Sequence, residues 1–363
     1  MRDRANIQTT LINLRISYIR LLAASHRVAA HLPSCLLAVV LLASCRKDLC
    51  YDHDAHSAGV KVNVVAEWEL EWERPYDLKW PESWPVHWPY KYDDFRPKAA
   101  EGIRAIVYPE AGSHSEGNLP REGGRFYMPE GTHDLMFYNN DTEYIVFSDI
   151  THLASASATT RTVTRSSLPV LHSGERTVNQ PDQLYGSFRK GYTARLTLET
   201  VNLPVQMRPL TYTYYIRYRF EAGLQYVALA RGALAGMAES VYLMDGHTGD
   251  NAATVLFDAS LTDWGIEARM NAFGVPNHSA DYYTRADGSS ARYTLNLEVR
   301  LKNGKMLNYN FDVTDQLNAQ PRGGVIQVTG VEVSDEDGKE GSGGFDVSVD
   351  GWGEWVDIPL PLE

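Results

Sequence analysis

The chain has 363 residues, a formal net charge of −12 and a hydrophobic content of 44%. Nucleic acid requires a basic footprint, so a nucleic-acid partner is excluded. The length is ample for buried cores and suggests two domains.

The chain opens on a basic leader with five arginines, Arg2, Arg4, Arg15, Arg20 and Arg27. An apolar run follows, Leu36-Leu37-Ala38-Val39-Val40-Leu41, and then Leu42-Ala43-Ser44-Cys45. Apolar residues followed by small ones form a secretion and cleavage pattern. A cysteine directly after them makes the pattern look like a bacterial lipobox. The expectation is that residues 1–44 are a lipoprotein signal peptide and that Cys45 takes the lipid. The run is shorter than the roughly 20 apolar residues of a spanning helix, and Arg46 and Lys47 end it. Several acyl chains anchor stably where one would not, because each buried CH2 contributes roughly 0.8 kcal/mol. The basic lead is longer than usual, and a start codon downstream of Met1 would account for it. With Cys35 removed and Cys45 lipidated, Cys50 is left alone. No intramolecular disulfide and no multi-cysteine zinc site can then form.

Residues 45–58 are polar and read as a tether. Cys50, His53 and His56, with Asp52 and Asp54, have metal-ligand spacing, but a tether does not preorganise ligands and no metal is expected. Val60 to Glu73 alternates with period two, a strand pattern. Trp80-Pro81, Trp84-Pro85 and Trp88-Pro89 then recur every four residues. Proline inside each turn forbids a regular helix and pushes each tryptophan to extended geometry. The stretch predicts a rigid extended or turning loop that clasps its own domain, an insertion over 73–98. Short strands punctuated by turns follow from Ile103 to Phe147. The Ser/Thr-rich segment 155–167 is read as loop or edge, and Gln180 to Gly186 as one helical turn. The first domain is placed at 59–190.

The second domain is placed at 191–363. Ala194–Thr200, Tyr212–Phe220, Thr254–Asp258, Gly265–Phe273, Ala291–Lys302, Met306–Val313, Gly324–Val333 and Asp346–Pro359 read as strands, with a hairpin turn at Asn303-Gly304. Tyr226–Glu239 is rich in small residues and is expected to be the one short helix. Asp335 to Glu340 is dense in carboxylates but lacks calcium-loop spacing and reads as a hairpin loop.

No nucleophile elbow, phosphate loop, zinc-protease or C-x-x-C motif is present. The chain is therefore read as a binding protein, with no catalytic residue and no cofactor expected. Trp80, Trp84 and Trp88 are the candidate ligand-binding residues, since exposed aromatic faces stack on sugar rings and mark interfaces. The competing reading packs them on their own sheet. Asn140-Asp141-Thr142 reads as a charged turn, not a glycan acceptor, because a lipobox implies a bacterial cell.

Asp48-Leu49-Cys50-Tyr51-Asp52-His53, Ile106-Val107-Tyr108-Pro109 and Met128-Pro129-Glu130-Gly131-Thr132 occur in order. They are followed by Tyr138-Asn139-Asn140-Asp141-Thr142-Glu143, Leu234-Ala235-Gly236-Met237-Ala238 and Phe311-Asp312-Val313-Thr314-Asp315-Gln316. Together these resemble a lipoprotein family of Bacteroidota similar to fimbrillin-like proteins and fimbrial anchor lipoproteins. The resemblance implies an all-β chain of two tandem transthyretin-like antiparallel β-sandwich domains. It also implies placement at the outer membrane, and adhesion or service as a pilus anchor or accessory subunit. The expected partners are the membrane, through lipid on Cys45, and pilus subunits or a surface glycan. Shaft subunits resembling these are cut after an arginine, which makes Arg161 and Arg165 candidate processing sites.

Overall fold

The computed structural model describes residues 59–74, 79–110, 112–164, 170–279, 291–339 and 356–358. Cys45, Arg165 and the histidine-rich tether lie outside them. The first strands are β1 (Val60–Trp68), β2 (Gly102–Pro109), β3 (Ser115–Pro120), β4 (Gly123–Met128) and β5 (Gly131–Asn139). A helical turn, α1 (Trp80–Ser83), stands between β1 and β2. Then come β6 (Ile145–Ser148), β7 (Ser157–Thr160), β8 (Thr162–Thr164), β9 (Arg176–Val178), β10 (Tyr185–Ala194) and β11 (Val201–Pro209). The later strands are β12 (Tyr212–Ala222), β13 (Val227–Ala238), β14 (Ser240–Tyr242), β15 (Ala252–Thr262) and β16 (Gly265–Ala272). They continue with β17 (Thr294–Leu301), β18 (Met306–Asp312), β19 (Gly324–Glu332) and β20 (Val356–Ile358). Helix α2 (Thr314–Ala319) joins β18 to β19, and α3 (Asp335–Lys339) follows β19.

The chain is all-β and forms two sheet bodies. In the first, the strand order is β3-β2-β5-β10-β11-β1-β4. Alternation in β1 and β11 turns Val60, Val62, Val64, Leu203, Val205 and Met207 inward onto Ile103, Leu135 and Tyr185. In the second, the path is β18-β17-β13-β15-β16-β12-β19. Its core holds Tyr214, Ile216, Tyr218, Phe257, Leu297 and Ile326. Pairing is mostly antiparallel, but the first strand of each body lies parallel to the last: β1 against β11 and β12 against β19. The intervening strands form the long crossover that parallel neighbours require. A third parallel pair joins β9 to β15.

Several expectations are corrected. The helix expected over Tyr226–Glu239 is strand β13, paired with β15 on one side and β17 on the other. Every residue from Ala230 to Ala238 is buried. Burial on both faces removes the alternation that marks a strand, and what remains, small residues, mimics a helix. Gly236, at φ 92°, sits at the bulge between Leu234 and Met237. The helical turn expected at 180–186 does not form: 180–184 are irregular and Tyr185 opens β10, while the Asp182 carboxylate accepts the backbone N–H groups of Glu143 and Tyr144 across the chain. The strand expected to run from Ala194 to Thr200 stops at Ala194. The hairpin loop expected at 335–340 is instead helix α3, where Ser334 Oγ accepts the N–H of Asp337. Most of 346–359 lies outside the described residues, and its β20 pairs with β8.

The domain limits also differ in detail. Residue 190 lies inside β10, and the first body runs on through β11 to Pro209. A shared cluster joins the bodies, with Ile106, Met136 and Tyr138 from the first and Ala238, Val241 and Phe273 from the second. The small sheet β14-β7-β6 crosses between them. Among the described residues no helix is long and apolar enough to cross a membrane.

Candidate functional site: the tryptophan strap and the open seam

After β1 the chain leaves the first body and runs across the outer face of the second sheet before returning at β2. The expected clasp is therefore made, but on the other body. The period-two pleat sets the surface it covers. Val325, Tyr215 and Arg269 lie side by side across β19, β12 and β16, and Gln327, Arg217 and Glu267 form the next row. Trp72 is 1% exposed and packs with Phe95, Tyr215 and Val325. Its carbonyl accepts the N–H of Thr213 at 2.8 Å. Gly323, at φ 78°, lets the strap come this close, because a Cβ there would meet the Trp72 carbonyl oxygen at 2.6 Å.

Trp80, Trp84 and Trp88 are all half-buried, and the structure brings them together. The ring centroids of Trp84 and Trp88 are 4.9 Å apart, and those of Trp80 and Trp84 6.1 Å. Trp84 Nε1 donates to the Tyr90 carbonyl at 2.8 Å. Two arginines of the sheet are held between aromatic rings. The Arg217 guanidinium is 4.1 Å from the ring centroids of both Trp88 and Trp264. The Arg269 guanidinium is 4.3 Å from Tyr90 and 4.2 Å from Phe95. Burial lowers the pKa of Arg217 from its ordinary value. Glu267 accepts from the hydroxyls of Tyr90 at 2.8 Å and Tyr215 at 2.6 Å. That bond to Glu267 raises the pKa of Tyr90, while burial is the main cause for Tyr215.

At the strap's root Glu73 is 3% exposed. Its Oε1 accepts from the Tyr92 hydroxyl at 3.1 Å, and its Oε2 has no partner. Desolvation pushes its carboxyl up to about 8, against the opposing hydrogen bond from Tyr92. Next to it the Arg74 guanidinium pairs with Glu69 and donates to the Tyr212 hydroxyl from Nε and Nη2, each at 3.2 Å. Arg322 Nη1 donates to the same oxygen at 3.3 Å, and the hydroxyl donates to the Pro209 carbonyl at 2.9 Å. This phenol marks the passage from first body to second.

Beside the strap a cleft of about 590 Å³ is lined by Trp88, Arg217, Arg219, Asp263, Trp264 and Gln327. Trp264 was missed in the sequence. It is a lone aromatic in the turn between β15 and β16, with no periodic pattern to mark it.

A second candidate surface is a seam in the first body. Strands β10 and β11 pair only at Tyr185 with Pro209 and Gly186 with Arg208. Beyond that point each turns to its other neighbour, β10 to β5 and β11 to β1. Two strand edges thus diverge and remain unpaired with each other. Arg161 sits between β7 and β8, with its N–H donating to Tyr144 and its carbonyl accepting from Asn179. Cleavage there would have to break paired backbone.

Residues 90–258 match a family described as a domain of unknown function, DUF5119. A Bacteroides ovatus protein named as a fimbrium anchoring subunit, Fim4B, is 21% identical over 297 residues, covering 75% of this chain and 88% of that one. The chain resembles a fimbrial anchor subunit. A crystal structure described as an adhesin from Bacteroides ovatus shares the fold at a TM-score of 0.52 and 18% identity, covering 77% of this chain and 94% of the other. The fimbrial anchor protein Mfa2 of Porphyromonas gingivalis superposes at 0.42 with 10% identity, over 75% of this chain and 90% of its own. That overlap carries no argument of its own.

Proposed function

We propose that this protein is an anchor or accessory subunit of a cell-surface fimbrium, held at the outer membrane by lipid on Cys45. The observation that carries the proposal is the similarity to a fimbrium anchoring subunit over 88% of that protein's length. The Leu42-Ala43-Ser44-Cys45 sequence supports the lipid. The seam between β10 and β11 supports the mode of contact, because unpaired strand edges recognise an added strand through backbone hydrogen bonds. The mechanism is binding, without turnover. The test is surface cross-linking of intact cells followed by capture of the full chain. Fimbrial subunits in the captured material support the proposal, and their absence from cells that display fimbriae contradicts it.

The cleft favours a second reading, a glycan site. It is lined by two indoles, Trp88 and Trp264, beside planar polar groups from Arg219, Asp263 and Gln327. Trp80 and Trp84 are taken up in packing the strap on the second sheet, so only Trp88 of the three expected residues lines the cleft. A glycan array probed with the full chain and with Trp264→Ala tests it. A signal that the substitution abolishes supports the site, and a blank array with the unaltered chain rejects it.

A further inference from the structure

The loop between β10 and β11 carries two leucines that touch little of the protein. Leu198 is 106% exposed and Leu196 61% exposed, and all of residues 195–200 are exposed. Single exposed leucines are ordinary. Two at alternate positions on one loop tip, at one particular end of the fold, are not accounted for by packing.

The strand register fixes which end that is. Parallel pairing sets Val62 beside Val201, so the residues before Val201 extend past the start of β1. Val60 pairs with Met128 and Ala194 with Gly131, which brings the β4–β5 turn to the same place. Pro109 pairs with His133, so the segment after β2 arrives there too. This is where the chain enters from residues 45–58, a stretch that reaches at most about 50 Å fully extended. The opposite end, at Trp68, Met207 and Pro209, is taken up by the second body. Of the two ends of the first body, the leucine-bearing one is the end on the tether side.

We infer that residues 195–200 form a second membrane contact, in which Leu196 and Leu198 enter the interface of the bilayer that holds the Cys45 lipid. The inference rests on the lipid-anchor reading given above. Apolar side chains at an interface bind in proportion to the apolar area they bury. Arg195 and Glu199 flank the leucines, and Glu130 Oε1 accepts the Leu196 N–H at 3.3 Å. These charges stay at headgroup level while the leucines go deeper. A lipid chain alone fixes one point of the protein and does not set its orientation. With a second contact the seam and the second body hold a fixed orientation away from the membrane.

The test uses the full mature lipoprotein in phosphatidylcholine–phosphatidylethanolamine vesicles. In a Cys50→Ser background, Leu198→Cys carries an environment-sensitive fluorophore, and the vesicles contain spin-labelled lipid. Glu122→Cys, exposed in the turn at the opposite end of the same body, is the control. The expected result is loss of fluorescence at residue 198 and none at residue 122. Flotation of the protein with the vesicles reports the anchor separately. Protein that floats with its residue-198 label unquenched overturns the membrane contact and leaves the anchor standing. Protein that does not float overturns the anchor reading and this inference with it. An unquenched label that is shielded only by added fimbrial subunits would assign the loop to a protein partner and likewise overturn the inference.

Discussion

The Trp80 indole N–H donates to the side-chain oxygen of Gln320 at 2.7 Å, across 240 residues of sequence. The bond joins the strap to the edge of the second sheet. Gln320 also accepts from the Val325 N–H at 2.8 Å and donates to the Val325 carbonyl at 2.9 Å. Gln316, one helical turn earlier, does the same at Gln327, at 2.9 and 3.0 Å. Two side-chain amides, one on α2 and one at its C-cap, thus stand in for a neighbouring strand along β19. Edge strands left open invite pairing with other chains, so the second sheet is closed where the seam of the first is open.

Replacing both glutamines by alanine should reopen the β19 edge. Amide hydrogen exchange at Val325 and Gln327 should accelerate, and the protein should self-associate on concentration. Exchange at both positions unchanged from the parent would show that the amides do not close the edge.

Trp72 is the strap's buried root. Trp72→Ala should cost about 3–5 kcal/mol, the usual range for removing a large buried aromatic. Urea unfolding monitored by circular dichroism measures it. A loss below about 1 kcal/mol, the level of an ordinary point substitution, would mean that the strap is not integral to the second body.

The clamp on Arg217 fastens the strap's far side. Arg217→Ala removes contacts to two indoles, each of the roughly 0.5–2 kcal/mol class. Trypsin should then cut at the exposed Lys79 and Lys91 faster than in the parent protein, with the sheet bodies intact. Unchanged cutting at both lysines would show that other contacts hold the strap.

Glu73 sets a pH dependence. Its folded pKa, about 8, stands above its ordinary value of 4.5, so the folded state holds the proton more tightly than the unfolded chain. This contribution to stability is present in full below pH 4.5 and is lost as pH rises towards 8. Glu73→Gln should keep the packing, raise stability at neutral pH and flatten the decline between those limits. Melting temperatures across that window measure both effects, and parallel profiles for the two proteins would contradict the assignment.

Much of this was legible in the sequence. Alternation identified β1 and β18, because each has one wetter and one drier face. It failed at β13, where both faces are dry. The tryptophan–proline repeat predicts an extended clasp on its own domain, but the strap packs on the other body and Trp80 opens a helical turn, because a repeat does not say which surface it meets. That depended on the outward surface made by Tyr215, Arg217 and Arg269, which is visible only once β12 and β16 are in register. Trp264 and the amide pair of Gln316 and Gln320 were hidden for the same reason. Each acts through a partner distant in sequence.

Fimbrial anchoring is tested most directly by where the fibres go when the lipid is removed. In cells making Cys45→Ala in place of the parent chain, fimbriae should be shed into the medium together with the altered protein, while parent cells keep theirs. Fimbriae that stay on the cells at parental density, with the altered protein released alone, would contradict it.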